Sequence, residues 1–171
     1  KADAHSKIQF KPLPARVFRD LGPTAKSEKL VPSVADTQVD EVIRRINAEG
    51  GGVFAIVGER GAGKSTLLER IEAGAPGVKL MNCPFGGMDL FAPAFLRAIE
   101  AEETAKLEEA AASYDESDAA DAGILVDNAH RLIKPMMGGM RNFDRVLAIA
   151  RKHSKNVAWV FAFDEVIWRF F

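Results

Sequence analysis

Cysteine is almost absent from this chain of 171 residues, because Cys83 is the only one. A single cysteine excludes an internal disulfide framework and a cysteine-based metal cluster, and it favours a reducing compartment such as the cytosol. Since free cysteines are usually packed in protein interiors, we expect Cys83 to be buried.

Long apolar runs and an excess of charge of one sign are also missing. No apolar stretch reaches the roughly 18–20 residues of a membrane span, and no signal peptide is visible. The formal net charge is −1, so general attraction to nucleic acid or to a membrane is not indicated. These features predict a cytoplasmic domain with one hydrophobic core. The sequence leaves open whether a local surface of the domain contacts protein or DNA. The start at Lys1 instead of Met predicts a trimmed N-terminus.

A glycine-rich segment over residues 58–66 matches the phosphate-binding pattern G-x-x-x-x-G-K-[S/T] at every fixed position. An apolar run over 53–57 precedes it, and Leu67, Leu68 and Ile71 follow at helical spacing. The strand, the glycine turn and the helix are the context that this pattern requires. The predicted nucleotide-binding residues are Gly58, Glu59, Arg60, Gly61, Ala62, Gly63, Lys64, Ser65 and Thr66.

The residue types in this segment suit a nucleotide's phosphates. Glycines let the backbone approach closely, so that successive N–H groups form an anion nest at the positive end of a helix dipole. Lys64 supplies a positive charge to the β- and γ-phosphates, and Ser65 offers its hydroxyl to Mg²⁺. The sequence therefore predicts ATP and Mg²⁺ as cofactors.

Helical and apolar segments alternate along the rest of the chain. Helices are expected at 36–48, 64–73, 89–112 (one long helix) and 141–153, and strands at 53–57, 78–82, 124–127 and 157–163. Such alternation is typical of an α/β fold in three layers, with helices on both faces of a parallel sheet. We expect residues 1–35 to form an N-terminal arm and residues 36–171 to form the core.

Two carboxylates end strands of this predicted sheet. Asp127 follows an apolar strand, as a Walker B carboxylate does, and with Ser65 it is the predicted magnesium ligand. Asp164 ends the strand over 157–163. Because ligands bind at the carboxyl ends of parallel strands, both side chains are expected beside the P-loop.

The order of these elements, with Asp127-Asn128-Ala129-His130-Arg131-Leu132 ending the third strand, resembles the core of an AAA+ ATPase over residues 30–165. The chain is most similar to the branch of origin-recognition ATPases, secretion ATPases and transposition regulators. The resemblance implies a strand order of 5-1-4-3-2, with the fifth strand and the lid beyond Phe171. It also implies Asp164 near the γ-phosphate, Val31 and Pro32 near adenine, and a homo-oligomer or larger complex.

Asn128 departs from that family pattern, which has a glutamate at this position to activate the attacking water. An amide orients water by hydrogen bonding but accepts no proton. One interpretation is a switch or scaffold, as in signalling or defence NTPases, without turnover. Another is that Asp164 or Glu165 replaces the glutamate; an engineered change at Asn128 is a further alternative. His130 is expected to pack or to form a hydrogen bond rather than to act as a catalyst.

Other P-loop classes fit the sequence less well. The sequence lacks the Leu-Ser-Gly-Gly-Gln run of ABC transporters and the Asn-Lys-x-Asp run of GTPases. It also lacks the basic lid segment that would favour a small-molecule kinase. Two loops, 85–88 and 136–140, are candidates for partner contacts, although we expect ordinary buried turns there. Enzymatic ATP hydrolysis is thus the leading but open hypothesis.

Overall fold

A computed structural model describes residues 11–12, 51–116, 122–134 and 136–169. Its elements are β1 (Lys11–Pro12), β2 (Gly52–Gly58), α1 (Lys64–Gly74), β3 (Val78–Asn82), α2 (Met88–Ala98), α3 (Leu107–Asp115), β4 (Gly123–Asp127), a 3₁₀ helix (Ala129–Leu132), α4 (Arg141–Lys152), β5 (Ala158–Asp164) and α5 (Glu165–Trp168). The predicted helix over 36–48 and the contacts proposed for Val31 and Pro32 lie outside the described residues. Of the predicted arm, only β1 is described.

The strands form one sheet in the order β1-β2-β5-β4-β3. The four strands from β2 to β3 are parallel, which confirms the predicted α/β class and the 1-4-3-2 part of the predicted order. On the outer side of β2, where the resemblance placed an absent fifth strand, β1 pairs in antiparallel fashion, with Lys11 opposite Ala55.

Register brings the carboxyl ends of the parallel strands together. Gly58 at the end of β2 lies opposite Asp164 of β5, and Asn82 at the end of β3 lies opposite Asp127 of β4. The chain leaves all four strands at the same edge of the sheet. This edge is therefore where polar side chains from distant parts of the sequence meet.

Apolar side chains cover both faces of the sheet. On one face, Leu67, Leu68 and Ile71 of α1 pack against the strands and are fully buried. On the other face, Phe95 of α2 stacks on Trp159 of β5, with ring centroids 5.4 Å apart. Cys83 is buried as expected, and burial raises the pKa of its thiol to about 12.

The single helix predicted over 89–112 is wrong, because two helices, α2 and α3, replace it. Glu100 adopts a left-handed conformation, with φ 58°. Its N–H donates to the carbonyl of Arg97 at 3.2 Å, and the N–H of Ala101 donates to the carbonyl of Leu96 at 2.9 Å. These two bonds are the Schellman motif that ends a helix, with Glu100 at the position where glycine is usual.

None of the helices within the described ranges is long and apolar enough to cross a membrane.

A buried carboxylate joins the end of α3 to the start of β5. Asp115 is 7% exposed, and its Oδ1 accepts hydrogen bonds from the N–H groups of Asn156 at 2.8 Å and Val157 at 3.2 Å. We expect Asp115→Ala to lower the free energy of unfolding by about 2 kcal/mol, because it leaves these donors without a partner. Asp115→Asn keeps an acceptor oxygen and should lose clearly less. Equal losses in urea unfolding of the two variants would contradict this account.

Candidate functional site

The loop between β2 and α1 has the shape of a phosphate-binding loop. Gly61 and Gly63 adopt positive φ angles of 85° and 87°, which glycine adopts without strain. The N–H of Ala62 donates to the carbonyl of Glu59 at 3.2 Å, and that of Leu67 donates to Gly63 at 2.9 Å as α1 begins. The loop thus turns tightly over the N-terminus of an 11-residue helix, where backbone N–H groups and the helix dipole favour an anion.

Lys64 lies on the rim of this loop. Its Nζ donates to the carbonyl oxygens of Gly58 at 2.8 Å and Glu59 at 2.6 Å. The loop's own carbonyl oxygens therefore hold the ammonium group beside the anion-binding backbone.

A side-chain hydrogen bond connects the P-loop helix to the end of β4. The Oγ of Ser65 donates to Oδ2 of Asp127 at 2.7 Å, across 62 residues of sequence. Asp127 is 8% exposed, and its Oδ1 accepts from the N–H of Asn128 at 2.7 Å. A hydroxyl and a carboxylate at this separation are oxygen ligands of the kind that Mg²⁺ prefers, so the residues present fit a magnesium ion.

An open cleft of about 630 Å³ extends from the P-loop along the carboxyl edge of the sheet. It is lined by Arg60, Gly61, Gly63, Lys64, Ser65, Thr66, Phe85, Asp127, Asn128, His130, Arg131, Asp164, Val166 and Ile167. The structure thus brings most of the predicted P-loop residues together with Asp127, Asn128 and Asp164.

A family model described as an AAA domain matches residues 45–170, which include the P-loop and every element that follows it in the structure. The chain belongs to the AAA domain family. Membership assigns it to the nucleotide-binding P-loop ATPase modules, which the cleft geometry had indicated. No curated protein matches the chain.

Asn128 of this AAA domain turns its side chain towards β3. Its Nδ2 donates to Oδ1 of Asn82 at 3.2 Å. Its backbone is left-handed, with φ 54°, a conformation that asparagine adopts more readily than glutamate. The residue therefore serves the turn after β4 and carries no group that accepts a proton.

The two carboxylates considered as replacements for a glutamate lie in different surroundings. Asp164 lines the cleft, and its Oδ1 accepts from the N–H of Val166 at 2.9 Å, which caps α5. Glu165 forms an ion pair with Arg169 at 2.6 Å and is not among the residues lining the cleft. Of the two, only Asp164 reaches the nucleotide-binding surface of the AAA domain.

Arg131 belongs to the site although sequence reasoning gave it no role. Its Nη1 donates to Oδ1 of Asn82 at 2.7 Å and to the carbonyl of Cys83 at 2.8 Å. Its guanidinium lies 4.3 Å from the ring centroid of Phe85. The 3₁₀ turn after β4 carries it there, and the only sequence signal was its place four residues after Asp127.

His130 also lines the cleft, from the same 3₁₀ turn. Of the two roles expected for it, packing or hydrogen bonding, the second is not seen at Nδ1, which is buried and has no partner among the described residues. Burial lowers the pKa of the imidazole, whereas the Asp164 carboxylate acts in the opposite direction. The lowered pKa favours the uncharged imidazole in this phosphate-binding cleft.

The two loops expected to form ordinary buried turns are buried only in part, at Gly87 and Gly139, and expose other residues. Phe85 is 73% exposed, Met136 is 68% exposed and Met137 is fully exposed. In the first loop, Gly86 has a φ of 130°, a backbone conformation that residues with a Cβ rarely adopt, which favours glycine at this position. These loops of the AAA domain present apolar side chains to the surroundings.

Proposed function

We propose that this AAA domain binds ATP with Mg²⁺ in the cleft and hydrolyses ATP slowly. The hydrogen bond between Ser65 and Asp127 carries the proposal, because it sets the two predicted magnesium ligands side by side next to the phosphate-binding loop. The match to the AAA domain family supports the same chemistry.

Each group at the P-loop has a role in this mechanism. The N–H groups of the loop hold the phosphates, and Lys64 exchanges its carbonyl partners for phosphate oxygens. Ser65 and Asp127 would hold Mg²⁺, which when bound would neutralise negative charge on the phosphates. Asp164 lies at the same edge, where it can orient water by hydrogen bonding.

A second candidate function is a nucleotide-dependent switch or scaffold without turnover. The contact between Asn128 and Asn82 favours it, because an amide next to Asp127 cannot take a proton from water. A small-molecule kinase is the least supported alternative, since no lid or second substrate site is assigned to the described residues.

We further propose nucleotide-dependent assembly with other copies or in a larger complex, in the manner of the origin-recognition, secretion-ATPase and transposition-regulator branch. In this proposal residues 36–171 are the ATPase core, with 1–35 as an arm, and Val31 and Pro32 contact adenine. The exposed side chains of Phe85, Met136 and Met137 support a protein partner, because apolar groups gain free energy when they leave water.

Lys64→Ala tests nucleotide binding. We expect ATP affinity to fall about 100-fold or more, because charge-assisted hydrogen bonds to phosphate are lost and each contributes about 1.5–3 kcal/mol. Isothermal titration with ATP and Mg²⁺ measures the change, and Lys155→Ala, at the opposite end of β5, is the control. If Lys64→Ala binds ATP as tightly as the wild-type chain, the P-loop assignment is wrong.

Asn128→Glu tests whether a missing carboxylate limits turnover. We expect the single-turnover rate to rise, because glutamate adds a proton acceptor next to Asp127. Asn128→Gln, which has the same length without the charge, separates basicity from shape. Equal rates in the two variants would show that the absence of a carboxylate at position 128 is not what slows hydrolysis.

The assembly proposal predicts that molar mass depends on the nucleotide. Light scattering should give a larger particle with Mg²⁺ and a non-hydrolysable ATP analogue than without nucleotide. A double substitution, Met136→Ser with Met137→Ser, should weaken this assembly. An unchanged mass in all conditions argues against self-assembly of this chain.

A further inference from the structure

His130 is the one histidine that lines the cleft among the described residues. The 3₁₀ helix Ala129–Leu132 begins two residues after Asp127 and returns the chain to the carboxyl edge of the sheet. The imidazole therefore shares the cleft with Lys64, Ser65 and Asp164. This is the cleft in which the proposed triphosphate would bind.

The ring nitrogens of His130 are not used by the fold that the structure describes. Nδ1 is buried and has no hydrogen-bond partner among the described residues. Within the same ranges Nε2 makes no hydrogen bond either, and only the main-chain carbonyl of His130 accepts one, from Ile133 at 3.0 Å. A buried polar group without a partner is unfavourable, and His130, unlike His153, also lines the cleft, where a bound ligand can reach the residue.

Other proton acceptors near the P-loop are engaged or out of reach. The Asn128 amide bonds to Asn82 and has no basic atom. Glu165 is paired with Arg169 outside the cleft lining. Asp164 lines the cleft, and one of its oxygens already caps α5 through Val166. Of the lining residues in the described ranges, His130 is the one that carries an imidazole, and its Nδ1 has no partner there.

The charges around the ring suit a base that starts neutral and becomes a cation. Burial is the largest effect that lowers its pKa, and Arg131 and Lys64 act in the same direction. Asp164 and Asp127 raise the pKa, and Asp164 has the larger influence of the two. The ring is therefore free to accept a proton near neutral pH, and the Asp164 carboxylate stabilises the imidazolium once it forms.

We propose that His130, supported by Asp164, accepts the proton of the water that attacks the γ-phosphate. The water oxygen forms a bond to the γ-phosphorus, and the bond from that phosphorus to the bridging oxygen breaks. ADP leaves with the electron pair, and the water proton moves to the imidazole and then to solvent. This inference rests on the proposed ATP hydrolysis and names its general base.

The first test compares His130→Gln with a matched control, His153→Gln. His153 is the other histidine in the described ranges, it also has a buried ring nitrogen without a partner, and it is not among the residues lining the cleft. We expect His130→Gln to lower the single-turnover rate about 100-fold or more, with the affinity for Mg²⁺ and ATP changed less than threefold. The rate of the wild-type chain should fall as the pH is lowered through the pKa of His130, and the variant should lose this dependence.

The second test needs no turnover. In a histidine NMR titration of the nucleotide-free chain, the pKa of His130 should lie below 6.5, and Asp164→Asn should lower it further because a stabilising carboxylate is lost. Asparagine keeps an oxygen that can cap α5, so the fold should survive. A pKa that does not respond to Asp164→Asn would overturn the pairing on which the inference depends.

Different outcomes of these tests would overturn the proposed function and the role of His130. Failure of the wild-type chain to bind ATP would overturn the proposed function itself. Tight binding with an unchanged rate in His130→Gln, or with no hydrolysis in the wild-type chain, would overturn the role of His130 and leave nucleotide binding intact. Loss of the rate in both His130→Gln and His153→Gln would indicate a structural effect and would also overturn it.

Discussion

The register of the parallel strands is the constraint on which the site depends. Hydrogen bonds along the sheet fix Gly58 opposite Asp164 and Asn82 opposite Asp127, so four chain segments turn at one edge. A slip of one residue would move Asp127 or Asp164 away from this edge and would change which side chains meet in the core. Because β4 and β5 are apolar throughout and covered on both faces, the fit of large side chains such as Trp159 against Phe95, and not polar alternation, distinguishes one register from another.

Helix α1 links the sheet to the phosphate-binding loop. Leu67, Leu68 and Ile71 fix one face of the helix against the sheet, and the first turn then has little freedom in position or rotation. As a result, Lys64 lies within hydrogen-bond distance of a loop carbonyl, and Ser65 lies within hydrogen-bond distance of Asp127. Core packing, rather than the hydrogen bonds alone, gives the phosphate site its geometry.

Elements with a local sequence signal were predictable, whereas breaks and turns that depend on the backbone conformation of a single residue were not. The P-loop, its strand and the apolar strand ending at Asp127 were predictable because periodicity and glycine spacing identify them directly. The break between α2 and α3 was not, since Glu100 takes the left-handed position without glycine. Likewise, Arg131 and His130 reach the cleft only because a 3₁₀ turn follows a left-handed Asn128, and no periodicity marks that turn.

The unusual residue at position 128 fits the electrostatics of the cleft. Asn82 Oδ1 accepts from both Asn128 and Arg131. A glutamate at position 128 could not donate to the Asn82 oxygen and would bring a second anion next to Asp127, so any gain in rate from its basicity would be accompanied by weaker nucleotide binding. A triphosphate adds further negative charge to the same edge, and like charges within a few ångströms are costly in a partly desolvated cleft. In the proposed mechanism, a neutral imidazole adds no negative charge before the reaction and becomes positive as the proton moves. Asn128, together with His130 as the proposed base, therefore avoids a further negative charge at the nucleotide.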